Sequence, residues 1–369
     1  MANLSPRDNS KMHIDTSKKI VVFNALGDLA TENKLFDRKL VGLERHGWAG
    51  CYLYEECLKA GIQLVTTDVF FSLNPRPKKG IFINNAAHSK NVKELIKAGL
   101  HPAALFAFEH PLYSCEFYYH LKKYTRIYDH TFMPSGARSI VSSKTKFHTW
   151  VSPQPYGKDI KINANFNEKK FLTAISSNAR LNSKKRLYVH IMNFLKPLPT
   201  LVNRELYLDR LEAIKHFSES NDFDLYGHNW DKPVLYTNGK YEAAIKKSYR
   251  GIVGDKFEVL KNYKFAIVFE NAIYDGWITE KIIDALYAGC VPVYWGAPDI
   301  TDFIPEGVFI DFRKFDSYEN LEKFLRNMDE KTYQGYIDKI NEFIQSDKAY
   351  IFSQDKYAKD TIKLLTSYF

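Results

Sequence analysis

Cysteine is scarce in this 369-residue chain. The four present, Cys51, Cys57, Cys115 and Cys290, form no CxxC pair and share no ligand spacing with histidine. That argues against a disulfide framework and a zinc site, and it suits a reducing compartment. Long apolar runs are missing too. The longest, such as Lys264 to Phe269 and Val291 to Trp295, fall far short of the roughly 20 residues that span a bilayer. The opening Met1 to Lys19 is polar and mixed in charge, unlike a signal peptide or a membrane anchor. No internal repeat or low-complexity tract occurs, which excludes a solenoid. A Rossmann fingerprint is also absent: Asn24 to Asp28 (NALGD), after the first apolar run, is not GxGxxG, so dinucleotide binding is disfavoured.

What is present is a basic surplus, 52 Lys and Arg against 43 Asp and Glu, for a net charge of +9. It suits an anionic partner and equally serves solubility. The basic residues are dispersed rather than striped, which argues against a nucleic-acid partner. Aromatics reach 15% of the chain, with 26 Phe and 24 Tyr; Tyr and Trp are usual platforms for sugar rings and bases.

Short β-branched runs alternate with helical patterns. Strands are expected at Lys19 to Phe23, Gln63 to Thr67, Gly80 to Ile83 and Ala103 to Phe108, with helices around Lys39 to Arg45 and Asn91 to Ala98. From Thr145 to Lys169 the pattern breaks at Pro153, Pro155 and Gly157, which reads as a link between domains. A second series follows. Strands are expected at Phe171 to Ser176, Phe223 to Tyr226, Phe265 to Phe269, Val291 to Trp295 and Val308 to Asp311. Helices are expected at Arg204 to Phe217, Phe257 to Tyr263, Glu280 to Ala288, Tyr318 to Met328 and Tyr357 to Tyr368. The architecture expected is α/β, two Rossmann-like halves in tandem, with ligands beyond the carboxyl ends of the strands. The boundaries run 1–18 for a polar extension, 19–155 and 156–348 for the two halves, and 349–369 for a closing helix.

The segment richest in chemistry is 264–296, a buried strand, a polar loop and a helix. Thr279 is placed as the N-cap, with Ile278 and Ile283 as a hydrophobic staple, which puts Glu280 and Lys281 in the first turn. Backbone N–H groups and the helix dipole attract phosphate there, and Lys281 adds a full charge. Glu280 beside it fits ribose hydroxyls, so the pair suits a nucleotide diphosphate; a dipole-favoured Glu and a solvated Lys fit the same spacing.

The run Phe269-Glu-Asn271, Thr279-Glu-Lys281 and then 288–296 (AGCVPVYWG) resembles the signature of the α1,3/4-fucosyltransferases, glycosyltransferase family 10. The resemblance extends to 224–227 and 249–256, covering most of the second half and only patches of the first. It implies two Rossmann-like domains facing across a cleft (the GT-B type) and GDP-β-L-fucose held by the C-terminal domain. It further implies inverting transfer to a hydroxyl of an N-acetylglucosamine or glucose unit, with no metal or other cofactor required. Asn271, Glu280 and Lys281 match the family's donor-binding positions, and Trp277 stands where bacterial members often have Tyr. The family's pattern of Arg, aromatic at +3 and Leu at +7 fits Arg204, Tyr207 and Leu211, with Arg186 as the alternative arginine and Tyr226 a further candidate. An arginine fork suits a pyrophosphate because it bonds two oxygens at once and stays charged.

Catalysis also needs a base, because an acceptor hydroxyl must lose its proton as it attacks. Glu109, in Phe108-Glu-His-Pro111 at an expected strand end, matches the family's base, with the neighbouring His110 as rival. Lys123 to Arg126 and Asp129 to Phe132 also resemble the family at that place. Asp222 and Asp224 mimic a metal-binding DxD, but a strand-edge pair is the better reading, and His148, like the other histidines, shows no ligand spacing. His228 is a loop residue that could face a nucleotide, and Asp284 stands at i+3 from Lys281, the spacing of an intrahelical ion pair. The partners expected are GDP-fucose and an oligosaccharide or glycolipid acceptor. Two alternatives stay open: another nucleotide sugar on the same fold, such as GDP-mannose or a UDP-sugar, and a catalytically silent carbohydrate-binding protein. The expected setting is cytoplasmic, free or resting on a membrane surface, as in a bacterial or viral enzyme.

Overall fold

The computed structural model describes residues 14, 18–41, 48–85, 91–107, 109–157, 160–178, 187–188, 191–192, 204–235 and 237–369. Two parallel sheets carry the fold. The first has β1 (Lys19–Asn24), β2 (Ile62–Thr66), β3 (Gly80–Asn84), β4 (Leu100–Phe106), β5 (His130–Met133) and β6 (Lys146–Thr149), in the order β2-β1-β3-β4-β5-β6. The second has β7 (Lys170–Ile175), β8 (Phe223–Tyr226), β9 (Tyr263–Phe269), β10 (Val291–Trp295) and β11 (Ile310–Asp311), in the order β11-β10-β9-β7-β8. Their principal helices are α1 (Trp48–Lys59), α2 (Asn91–Lys97), α3 (Tyr207–Phe217), α4 (Lys256–Leu260), α5 (Glu280–Tyr287), α6 (Tyr318–Arg326), α7 (Glu330–Gln345) and α8 (Gln354–Thr366).

The apolar runs read as strands because both faces of each sheet are covered. In the first sheet, Val22, Val65, Phe82 and Leu105 point into one core, while Val21, Phe23, Leu64 and Ile83 point into another on the opposite face. Within the second sheet, Phe265, Ile267 and Phe269 join α3, α5 and α7 side chains in a single large core.

Several expectations need correction. Lys146–Thr149, inside the stretch read as a break in the pattern, forms the edge strand β6, paired with β5 and within the 19–155 bounds expected for the first half. Strand β5, helix α1 and helix α7 were not expected. The closing helix is not an appendage: α8 returns to the first sheet, where Ala358 and Leu365 enter the core with Val21 and Phe23, and Tyr357 meets Phe106 edge-on at 5.8 Å. The outgoing and returning chains pair where they cross, Gln154 N donating to Phe352 O at 2.6 Å and Gln354 N to Gln154 O at 2.9 Å. Arg204 lies outside its expected helix, which begins at Tyr207. Instead, Arg204 O accepts from Ile273 N at 3.0 Å, and Leu206 N donates to Asn271 O at 2.9 Å, which ties this stretch to the loop after β9. Among the described residues, no helix is long and apolar enough to cross a membrane.

Candidate active site

The carboxyl ends of β7, β8 and β9 open onto a cavity of about 360 Å³. Asn271, Glu280 and Lys281 line it, and so do Lys256, Arg210, Tyr207, Tyr113 and His228. The signature segment builds this wall. Glu270, directly after β9, is fully buried, a position that requires its charge to be matched. Its carboxylate accepts from Thr279 N at 2.9 Å, from Thr279 Oγ1 at 2.9 and 3.0 Å, and from Lys281 Nζ at 3.2 Å. Lys281 also donates to Thr279 Oγ1 at 2.8 Å. Thr279 is the N-cap residue of α5 as expected, but its hydroxyl serves Glu270 and Lys281 rather than capping the helix. Glu280 lies 3.6 Å from both Lys281 and Lys256, so one carboxylate and two ammonium groups meet at the helix start.

Arg210 was missed. It is 7% exposed, and its Nε and Nη2 donate to Phe269 O at 3.0 and 2.6 Å, with Nη2 also reaching Asn271 Oδ1 at 2.8 Å. Burial lowers its pKa, opposed chiefly by Tyr207 and then by Glu270. The signal was available: Arg210 lies four and seven residues before Ile214 and Phe217, on the apolar face of α3, where a charge needs a partner. Lys256 was within the quoted resemblance but carried no assigned role. Gly227 admits no side chain at this rim: its φ is +131°, and a Cβ would come within 1.9 Å of Ser176 O.

Arg204 does not line the cavity, which corrects the expectation that it and Lys281 share one hollow. Its guanidinium pairs with Asp209 and lies 4.8 Å from the Trp295 ring centre, with the side chain 54% exposed. Both groups it touches, Asp209 and Trp295, line a second hollow together with Phe312 and Tyr318. Tyr226 also points elsewhere, its hydroxyl 3.1 Å from that of Tyr263, which donates to Asp224 at 2.7 Å. Asp224 pairs with Arg250 at 2.7 Å and Lys170 at 3.3 Å, and Asp222 with Arg326 at 2.8 Å. Both acids of the DxD thus have structural partners. Among the described residues, no group of three His, Cys, Asp or Glu side chains could hold a metal. Asp284 does not pair with Lys281 but accepts from the Tyr156 hydroxyl at 2.9 Å. Arg186 lies outside the described residues.

Glu109 follows β4 as an exposed loop residue whose carbonyl accepts from the Tyr118 hydroxyl at 3.1 Å, and it is not among the residues lining the cavity. His110 is 1% exposed, with its ring 4.9 Å from that of Trp277. Burial, with Lys281 second, lowers its pKa to about 3, so the ring is neutral. Its Nδ1 accepts from Leu112 N at 3.0 Å, so the single lone pair of the neutral ring is engaged. His110 therefore cannot serve as the rival base in this arrangement. Trp277 is not on the cavity wall; with Ala272 and Tyr274 it enters the core of the first domain. Gly276 lets this loop approach, since its φ is +70° and a Cβ would lie 2.4 Å from Ser135 N. Asp299 fastens the same seam, accepting from Gly276 N at 2.7 Å and Ser135 Oγ at 2.6 Å. Tyr113 and Tyr207 bring their hydroxyls together across the cavity mouth.

Two Rossmann-like domains facing across a cleft make up the GT-B fold. The fold is shared with Anabaena HepE in complex with UDP-glucose, at a TM-score of 0.56 and 9% identity over 94% of this chain and 99% of that one. The model "Glycosyltransferase family 10 (fucosyltransferase) C-term" matches residues 200–357, most of the second domain. The chicken (Gallus gallus) GDP-fucose protein O-fucosyltransferase 3 is 35% identical over 136 residues, 35% of this chain and 27% of the relative. The Helicobacter pylori alpha-(1,3)-fucosyltransferase FucT is 43% identical over 77 residues, 20% of this chain and 16% of the relative. The likeness thus spans well under a third of either relative. Arg204, Asn271, Trp277, Glu280 and Lys281 fall inside the family match, whereas Glu109 and His110 fall outside it.

Proposed function

We propose that this chain is an inverting fucosyltransferase that moves L-fucose from GDP-β-L-fucose to a glycan hydroxyl, in an α1,3 linkage to N-acetylglucosamine or glucose. The observation that carries the reading is the meeting of Asn271, Glu280 and Lys281 on one cavity at the strand ends, with Lys256 and Arg210 beside them. Lys281 and Lys256 suit a diphosphate, and Glu280 suits ribose hydroxyls. The acceptor oxygen attacks the anomeric carbon as the bond to the β-phosphate oxygen breaks. The electron pair leaves on GDP, and Glu109 takes the acceptor's proton. Fixed cations stabilise the growing charge on the diphosphate, so the proposed transfer uses no metal or other cofactor.

Arg204 enters this scheme as a mobile cation. The Arg204 side of its pair with Asp209 is exposed, and ion pairs at the surface are worth about 0–1 kcal/mol, so a diphosphate competes for the guanidinium. Arg210 is committed to Phe269 and Asn271 and acts by holding the Asn271 amide in place.

The test is a comparison of GDP and UDP as stabilising ligands, followed by transfer assays with nucleotide sugars against a glycan panel. GDP should raise Tm well above the effect of UDP, and EDTA should leave fucose transfer intact. Stabilisation by UDP alone would overturn the donor assignment.

A further inference from the structure

We propose that the hollow lined by Trp295, Phe312, Phe315 and Tyr318 is a saccharide subsite, which holds units of the acceptor glycan beyond the one that receives the sugar. This rests on the glycosyl-transfer reading above. The hollow measures about 540 Å³, in the usual range of ligand pockets. Its floor is aromatic. Phe312 stacks on Tyr318 with ring centres 5.1 Å apart and meets Trp295 at 5.0 Å. Trp295, Phe315 and Tyr318 are half-buried, so part of each ring is left to solvent. Ring faces of this kind give the C–H face of a pyranose a broad, rigid contact.

The charges around the floor select among ligands. Asp209, Asp316 and Glu319 bring carboxylates to the lining, and an ionised carboxylate only accepts hydrogen bonds. Asp209 is matched by Arg204, whereas Asp316 has no hydrogen bond or ion pair among the described residues. Arg313, also in the lining, is committed elsewhere: Nε and Nη2 donate to Asp311 at 2.8 Å each, and Nη1 to Pro298 O at 3.0 Å. An acid surplus repels a phosphate, so a second nucleotide does not suit the hollow. The place that a cationic ligand would take over Trp295 is filled by the chain's own Arg204. A neutral ligand that offers hydroxyl donors beside an apolar face fits what is left.

The wall ties this hollow to the reaction. Phe269 lines the donor cavity, and its ring lies 5.5 Å from that of Trp295 and 5.0 Å from that of Phe312. The first turn of α3 divides the two spaces in the same way: Tyr207 and Arg210 line the cavity, and Asp209 lines the hollow. One aromatic ring and one helical turn therefore separate them. Both spaces lie beyond the carboxyl ends of strands, the cavity at β9 and the hollow at β10 and β11. An oligosaccharide whose reacting unit meets the donor extends its next units over this wall.

The test uses the full-length parent chain, Asp316→Ala and Phe315→Leu, with N-acetylglucosamine, glucose and longer oligomers of each as probes. Saturation-transfer NMR reads binding without turnover, acceptor KM reads use, and Tm confirms folding. For the parent, KM should fall as the oligomer lengthens. Each variant should raise KM for the long oligomers about five- to tenfold, while KM for the monosaccharide and stabilisation by GDP hold. Equal losses for monosaccharide and oligomer, no change in either variant, or no oligomer binding by the parent would overturn the subsite. Oligomer binding that depends on Asp316 and Phe315 in a parent stabilised by UDP and not by GDP would keep the subsite and overturn only the donor assignment.

Discussion

The two walls of the cleft are built on opposite principles. On the second domain, Glu270, Thr279 and Lys281 satisfy one another, and Arg210 spans Phe269 O and Asn271 Oδ1. On the first domain, Glu109 is exposed, and the seam beside it buries polar atoms that lack partners among the described residues. A closed network is held ready before any ligand arrives, which suits a wall that grips the same diphosphate in every cycle.

Substitutions that separate binding from chemistry test that contrast most strongly. Glu109→Gln should cut transfer by about 10²- to 10⁴-fold, the usual contribution of a positioned base, while leaving GDP stabilisation of Tm nearly intact. Lys281→Ala should lose both transfer and GDP stabilisation, since it removes a cation from the preformed wall and leaves Glu270 buried without its ion-pair partner. Undiminished transfer by Glu109→Gln would remove the carboxylate as base and leave the first wall without a chemical role.

The same contrast explains what the sequence made legible. The strand, cap and helix from Phe265 to Tyr287 were readable because local rules agree there: an apolar run, a Thr at the N-cap and a staple of isoleucines. The roles of Glu270 and Arg210 were not, because their partners are set by contacts between separate elements; Arg210 reaches Phe269 O, 59 residues away. Strand β6 was hidden by its place at a sheet edge, where its four residues are exposed or half-buried and carry no apolar signal. The return of α8 to the first sheet is likewise non-local, and an amphipathic helix does not announce which sheet it covers. Tyr226 misled because its neighbour Gly227 does line the cavity, while its own hydroxyl is drawn to Tyr263.

Two arginines six residues apart offer a finer test. Arg204→Ala should leave folding stability within about 1 kcal/mol of the parent, since only a half-exposed pair and a ring contact are lost. It should still lower fucose transfer by about 10²-fold, as expected for one lost transition-state contact. Arg210→Ala should do the reverse in order, destabilising the fold first, because it removes a buried cation and leaves Phe269 O and Asn271 unpaired. If Arg204→Ala leaves transfer unchanged and Arg210→Lys abolishes it in a folded protein, the inner arginine holds the diphosphate, and the surface one is a bystander.

The smallest effect should appear as acid sensitivity. His110 has a folded pKa of about 3 against an ordinary 6.5. Between those values the unfolded chain binds a proton that the folded chain refuses, so folding stability falls as pH drops. The loss begins near pH 6.5, grows by about 1.4 kcal/mol per unit, and levels off below about pH 3. At pH 5 this one residue should cost about 2 kcal/mol relative to neutral pH. Urea unfolding at pH 7 and pH 5 checks the figure: His110→Gln, which does not titrate, should lose less stability over this interval by about that amount. Equal losses in parent and variant would mean that His110 is hydrated in the folded chain, and the contrast between a closed donor wall and an unsatisfied facing seam would go with it.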